Sequence, residues 1–194
     1  ADGVRTPSLA PGDWTMTQIF SGSRPITAAV SLSVDALDDV WIYFGTGSYI
    51  TDADKTSNDQ EYIIGIRDPI FNDSPTVLPL DFTTLFDSNP YTVYTNLNVD
   101  GGLARIYDWY SLLSVVRNTE DQDVYPDYYD GWYRDLEATD PSERIISKPG
   151  ILGGAVFLPA FTPNEDVCGF GGDSNFYALY YETGTAFYRP LLPN

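Results

Sequence analysis

Val40-Trp41-Ile42-Tyr43-Phe44, closed by Gly45-Thr46-Gly47, is the stretch on which the fold of this chain turns. Five consecutive apolar residues between turn signals are too few for an ordinary helix and too apolar for a strand with one wet face. They describe a β-strand covered on both sides. Upstream, residues 35–39 turn the chain and residues 26–34 alternate, which predicts a second strand. Ser21-Gly22-Ser23-Arg24-Pro25 is a further turn, and residues 14–20 alternate in part with β-branched content. Residues 1–13, rich in Pro and Gly, read as an extended N-terminal arm.

Downstream, an acidic loop leads to Tyr62-Ile63-Ile64-Gly65-Ile66-Arg67, the next strand. Residues 68–98 carry four prolines and only short strand-like pieces such as Thr92-Val93-Tyr94, so this region reads as long irregular structure. One segment breaks the β rhythm. In residues 108–118, Trp109, Leu112, Leu113 and Val116 fall at the spacing of a single helix face. Asp108 is placed to accept the orphan amides of the first turn, and Arg117 suits the negative end of the dipole. Further strands are expected at 131–136, 142–147, 153–161 and 176–181. The last of these leads through Glu182-Thr183-Gly184 into a hairpin with 185–188. The class is all-β, with antiparallel sheets, one short helix near 108–118, and a single domain over 14–194.

Composition narrows function. The chain has 194 residues, the length of one domain, and would bury roughly 70% of its unfolded surface on folding. Aromatic residues at 15% and hydrophobic residues at 43% supply the core that disordered chains lack. A net charge of −18 repels phosphate backbones and anionic lipid, which argues against nucleic acid as a partner. No apolar run approaches the roughly 18 residues of a membrane span. With no histidine, every imidazole-based triad, base or zinc site is excluded. The single cysteine, Cys168, leaves no internal disulfide, and a buried thiol is its expected state.

Two acidic stretches are the candidate binding loops. Residues 52–61 place oxygen donors at alternate positions, as a calcium loop does, with Asp52, Asp54, Asn58 and Asp59 as the candidate ligands should a cation bind. The loop lacks the central glycine, and Ile63 stands where the closing bidentate Glu belongs, so the bland reading is a hydrated loop. Glu120, Asp121, Asp123, Asp127 and Asp130 form a second acidic, tyrosine-flanked group with the same two readings. Trp41, Trp109, Trp132, Phe44 and Phe157 are expected in the core. No residue is singled out as catalytic, and no cofactor is called for beyond that possible calcium.

Four segments carry a resemblance: PITAAVSLSVDALDDVWIYFGTGSYITDADKT at 25–56, GWYRDL at 131–136, SERIISKPGILGGAVFLPAFTP at 142–163, and DVCGFGGDSNFYALYYETG ending at 184. In this order they resemble the C-terminal β-propeller of the PilC-type adhesin and assembly factor family of type IV pili. The short helix sits where that family places a helical insertion. Residues 68–100 are unmatched. The family's calcium loop, Asp-x-Asn-x-Asp-x-x-x-Asp, has no counterpart here, and its propeller domain is longer.

The resemblance implies an extracellular or cell-surface, non-enzymatic module for pilus assembly, adhesion or filament formation. A four-stranded blade takes about 40–50 residues, so the chain holds three or four irregular blades, a partial propeller. An open arc leaves strand edges free, so the expected partners are other copies of the chain or a pilin-like subunit. Two other classes stand beside this reading. One is a quinoprotein-like propeller enzyme fragment, which would need an Asp base ringed by basic residues. The other is a lectin-like surface binder, in which the acidic and aromatic loops would meet a glycan or host surface.

Overall fold

In a computed structural model of the chain, residues 16–72, 74–121, 123–124, 127–139, 141–164 and 171–190 are described. The expected N-terminal arm, Trp14 and Cys168 lie outside them. Strands β1 (Ser31–Val34), β2 (Val40–Gly45), β3 (Tyr62–Arg67), β4 (Phe86–Asp87) and β7 (Gly131–Asp135) form a five-stranded sheet in the order β1-β2-β3-β7-β4. All neighbours are antiparallel except β4 and β7. The apolar run of β2 is covered on both sides, as its composition requires. Trp41 and Tyr43 enter one cluster with Ile63, while Phe44 enters another with Ile64, Ile66, Leu80 and Leu85. The turn between β1 and β2 is tied by Asp35, whose Oδ1 accepts from the amides of Leu37 (2.8 Å) and Asp39 (3.0 Å).

A second sheet has the order β10-β9-β8, built from β8 (Gly150–Leu152), β9 (Ala155–Pro163) and β10 (Gly172–Tyr180). Gly153 and Gly154, with φ of +61° and +81°, make the two-residue turn between β8 and β9, where left-handed backbone is required. The strand expected at 153–161 therefore begins two residues later. Strands β5 (Thr92–Val93) and β6 (Val99–Asp100) pair by themselves within the irregular stretch. The helix α1 (Trp109–Val116) starts on Asp108, whose carboxylate accepts from the Ser111 amide at 2.8 Å. It buries Trp109, Leu112, Val115 and Val116, so Val115 takes the place expected of Leu113.

Three expected strands are shorter or absent. Of 26–34, only Ser31–Val34 is strand. Of 142–147, Arg144 alone bridges, to Phe161. Of 16–20, only Phe20 bridges, to Leu80. The hairpin expected after residue 184 is also replaced. Gly184, at φ +67°, closes a turn in which the Tyr180 amide donates to the Thr185 carbonyl at 2.7 Å. Phe187 and Tyr188 then leave the sheet to pack on Trp109, at centroid distances of 5.2 and 5.3 Å. Aromatic burial against the helix outweighs another pair of ladder bonds at a sheet edge.

Trp132, fully buried on β7, joins the two sheets. Its Nε1 donates to the Tyr181 carbonyl at 2.9 Å. Gly65 on the paired strand and Gly184 on the turn after β10 press against its indole, and a Cβ at either would come within 2.5 Å or less of ring atoms. Beside it, Arg117 at the end of α1 forks onto the fully buried Glu182, Nε to Oε2 at 2.5 Å and Nη2 to Oε1 at 2.8 Å. Arg117 thus serves a carboxylate from the distant turn in place of the helix end. Tyr180 donates to the same Oε1 at 3.0 Å; burial, then the Glu182 charge, pushes this phenol far above its usual range.

Gly184→Ala is expected to destabilise the chain by about 1–3 kcal/mol or more, since a methyl meets the Trp132 ring and φ is positive. Arg117→Met, which leaves Glu182 buried without its cation, is expected to cost about 3–5 kcal/mol. Urea denaturation followed by tryptophan fluorescence checks both.

Candidate functional site

The acidic loop is built around a cation that belongs to the chain. Arg144, 2% exposed, sends its guanidinium under the loop. Nη1 donates to the carbonyls of Ser48 (3.0 Å) and Asp54, and Nη2 to those of Ser57 (3.0 Å) and Ser142 (2.9 Å). Arginine's fan of donors fits such a ring of carbonyl oxygens without a carboxylate. Burial lowers its pKa from 12.5, partly opposed by Glu61 and Asp54.

The candidate ligands face elsewhere. Asp52–Lys55 is a short 3-10 turn whose Asp54 carboxylate folds back onto its own start. There Oδ2 accepts from the amides of Ile50 and Thr51 at 2.8 Å each and from Ser48 Oγ at 3.1 Å. Asp52 pairs with Lys55 at 2.8 Å, and Asp59 with Arg24 at 2.6 Å. Asn58 is exposed. Arg24 also holds Glu61 Oε1 at 2.9 Å, while Glu61 Oε2 is buried with no partner among the described residues. Among those residues no three His, Cys, Asp or Glu side chains converge as a metal set. Sequence reasoning passed over Arg144, which nothing in the polar run Ser142-Glu143-Arg144 marks out.

The second acidic group divides. Glu120 and Asp127 bracket Arg105, at 3.2 and 3.0 Å. Asp121 turns its carboxylate to the Asp123 amide at 3.0 Å. Asp130 is fully buried, with Oδ1 accepting from Ser74 Oγ at 2.6 Å. A cavity of about 250 Å³ is lined by Phe86 and Asp87 of β4 and by Pro90, Tyr91, Leu103 and Tyr129. No motif announces it, because β4 is only two residues long and the other walls come from loop residues without periodicity.

Of the aromatics expected in the core, Trp41, Phe44, Trp109 and Trp132 are buried there. Phe157 is half-buried on the outer face of the second sheet, stacked at 5.8 Å on Phe176, which is 62% exposed. Pairing places Pro159, Ala178 and Leu152 on that same face. β10 ends the sheet, and its outer edge has no strand partner among the described residues.

Two backbone amides hold the half-buried Asp54 carboxyl well below its ordinary 3.8, at about 2. A depressed folded-state pKa means the carboxylate supports the fold above the ordinary value and loses that contribution as pH falls through about 2. A carboxyl-carbon NMR titration is expected to place the Asp54 midpoint near 2, and a midpoint at 3.8 or above contradicts the cap.

No protein-family profile matches the chain. Over 179 residues, 84% of its length, it is 27% identical to the "Type IV pilus biogenesis factor PilY1 homolog" of Xylella fastidiosa strain Temecula1, of which it spans 10%. Its fold aligns with the crystal structure of the Pseudomonas aeruginosa PilY1 C-terminal domain at a TM-score of 0.53 and 20% identity, over 87% of this chain and 34% of that one. The chain thus spans about a third of the solved chain and a tenth of the curated relative. No helix among the described residues is long and apolar enough to cross a membrane. A mostly β chain of several sheets with one α-helix among the described residues, it is similar in sequence to a type IV pilus biogenesis factor and shares the fold of the solved PilY1 C-terminal domain.

Proposed function

We propose that the chain is an extracellular, non-enzymatic module of the type IV pilus system that serves adhesion, assembly or filament formation through contacts with other polypeptides. The likeness to a pilus biogenesis factor supports the setting. The observation that carries the mode of action is the second sheet. Its nine-residue strand β10 has an outer edge with no strand partner among the described residues, and its outer face exposes Phe176 on Phe157. A long edge with exposed apolar side chains is a template for another chain. The partner is a second copy or a pilin-like subunit.

Mass measurement in solution over a range of concentrations, with electron microscopy of the native material, tests the proposal. Self-association, or capture of a pilin-like subunit, is expected from the wild type. Phe176→Asp is expected to abolish it with a change in stability within about 1 kcal/mol, because the ring is mostly outside the fold. A wild type that remains monomeric and binds no pilin-like subunit overturns the reading.

A further inference from the structure

β1 is an edge strand with its faces reversed. Ser31, 7% exposed, turns inward and donates from Oγ to the Pro149 carbonyl at 2.5 Å, while Leu32 and Val34 stand 64% and 59% exposed on the outer face. Leu32 pairs with the half-buried Ile42, and Ile42 with Ile66, which is 1% exposed in the second apolar cluster. One apolar row of that cluster therefore runs off the open end of the sheet with no polar residue to close it. Edge strands are ordinarily guarded by charge or proline, and Ser31–Val34 has neither.

The outward backbone groups of β1 belong to the same two residues. The Asp35 amide donates to the Asp39 carbonyl, so the backbone groups of Ser33 and Ser31 turn to β2 and those of Leu32 and Val34 point away from it. β10 has the same phase. The Tyr181 amide donates to the Gly154 carbonyl and the Tyr180 amide, on the side away from β9, to Thr185. Ser174, Phe176 and Ala178 therefore present their amides and carbonyls outward. None of these outward groups on either strand has a backbone partner among the described residues. The far ends of the two sheets, β4 and β8, are only two and three residues long.

We infer that β10 of one copy adds as an antiparallel strand to β1 of the next, with Phe176 opposite Val34 and Ala178 opposite Leu32. The matched phases give ladder bonds at both pairs, and opposite residues share a face. The row Ile66, Ile42, Leu32 then continues through Ala178 and Phe157 of the added copy, because those two residues pair within its own sheet. Charge also favours a second copy at this seam. Two chains of net charge −18 can touch only where carboxylates are not opposed. Ser31–Val34 carries no charge, and Asp173, the one charge of β10, falls beyond the end of β1 in this pairing. A two-fold contact through β10 alone would leave Leu32 and Val34 in water, whereas head-to-tail addition covers both edges of every interior copy and propagates. The inference rests on the reading of the chain as one that works through polypeptide contacts, and it names the surface that receives β10.

The test is mass measurement of the whole chain over a range of concentrations in about 500 mM sodium chloride, which screens the repulsion between copies. The wild type is expected to form a series that extends past the dimer as concentration rises. Leu32→Asp and Phe176→Asp, both at exposed side chains, are each expected to weaken association at least about tenfold. Leu32→Thr, which keeps strand propensity, is expected to weaken it less and in the same direction. Val124→Asp, a control of equal charge at a residue 59% exposed, is expected to leave it unchanged. An equimolar mixture of Leu32→Asp and Phe176→Asp chains is expected to give a dimer and nothing larger, since one keeps β10 and the other β1. A wild-type series that ends at the dimer, Leu32 variants that associate like the wild type, equal loss in Val124→Asp, or a mixture that stays monomeric overturns the inference and leaves the assembly reading standing. A wild type that is monomeric yet captures a pilin-like subunit does the same. A wild type that does neither removes the assembly reading, and this inference with it.

Discussion

The indole of Trp132 is the contact on which the arrangement depends. It stands on the strand shared by β3 and β4, yet its ring nitrogen is answered by a carbonyl from the turn beyond β10, nearly fifty residues on. Two glycines make room for it, and the pressure of Gly184 fixes where that turn must lie. Once the turn is placed, Glu182 falls beneath α1 and Arg117 can reach it. Sheet, helix and second sheet are thus registered by one aromatic wedge and one ion pair, with the apolar cluster of Tyr43, Leu112, Val116 and Leu158 filling the space between.

Burying a charge this deeply carries a desolvation penalty that the pair offsets only through geometry. The fork between Arg117 and Glu182 supplies it, and Tyr180 completes one oxygen. Arg67 of β3 reinforces the same region by donating to the carbonyls of Arg117 and Tyr129, at 3.3 and 3.1 Å. These polar contacts tie α1 to β3 and to the turn after β10, where apolar packing alone would allow it to slide.

Much of the frame was legible in the sequence because local pattern and tertiary role agree there. The unbroken apolar runs of β2 and β3 could be buried only between layers, and Asp108 before an amphipathic eight-residue stretch could mark only a helix start. What was not legible depends on groups far apart in the chain. The carbonyls around Arg144 come from residues 48, 54, 57 and 142, and carbonyls carry no residue signature. The aromatic cavity joins residue 129 to the 86–103 loops. Phe157 obeys strand alternation, but alternation does not say which face is outer. Phe187 and Tyr188 look like strand residues, and it is the proximity of Trp109 that draws them off.

Arg144 has a consequence for how the acidic loop behaves. A positive charge coordinated by carbonyl oxygens is ordinarily a guest, whose residence depends on its concentration outside. Here the guest is covalently tethered: it cannot be diluted away, chelated or exchanged for a competitor. The ring of carbonyls from Ser48, Asp54, Ser57 and Ser142 therefore keeps its shape through swings in ion supply that unsettle a ring organised by dissociable metal.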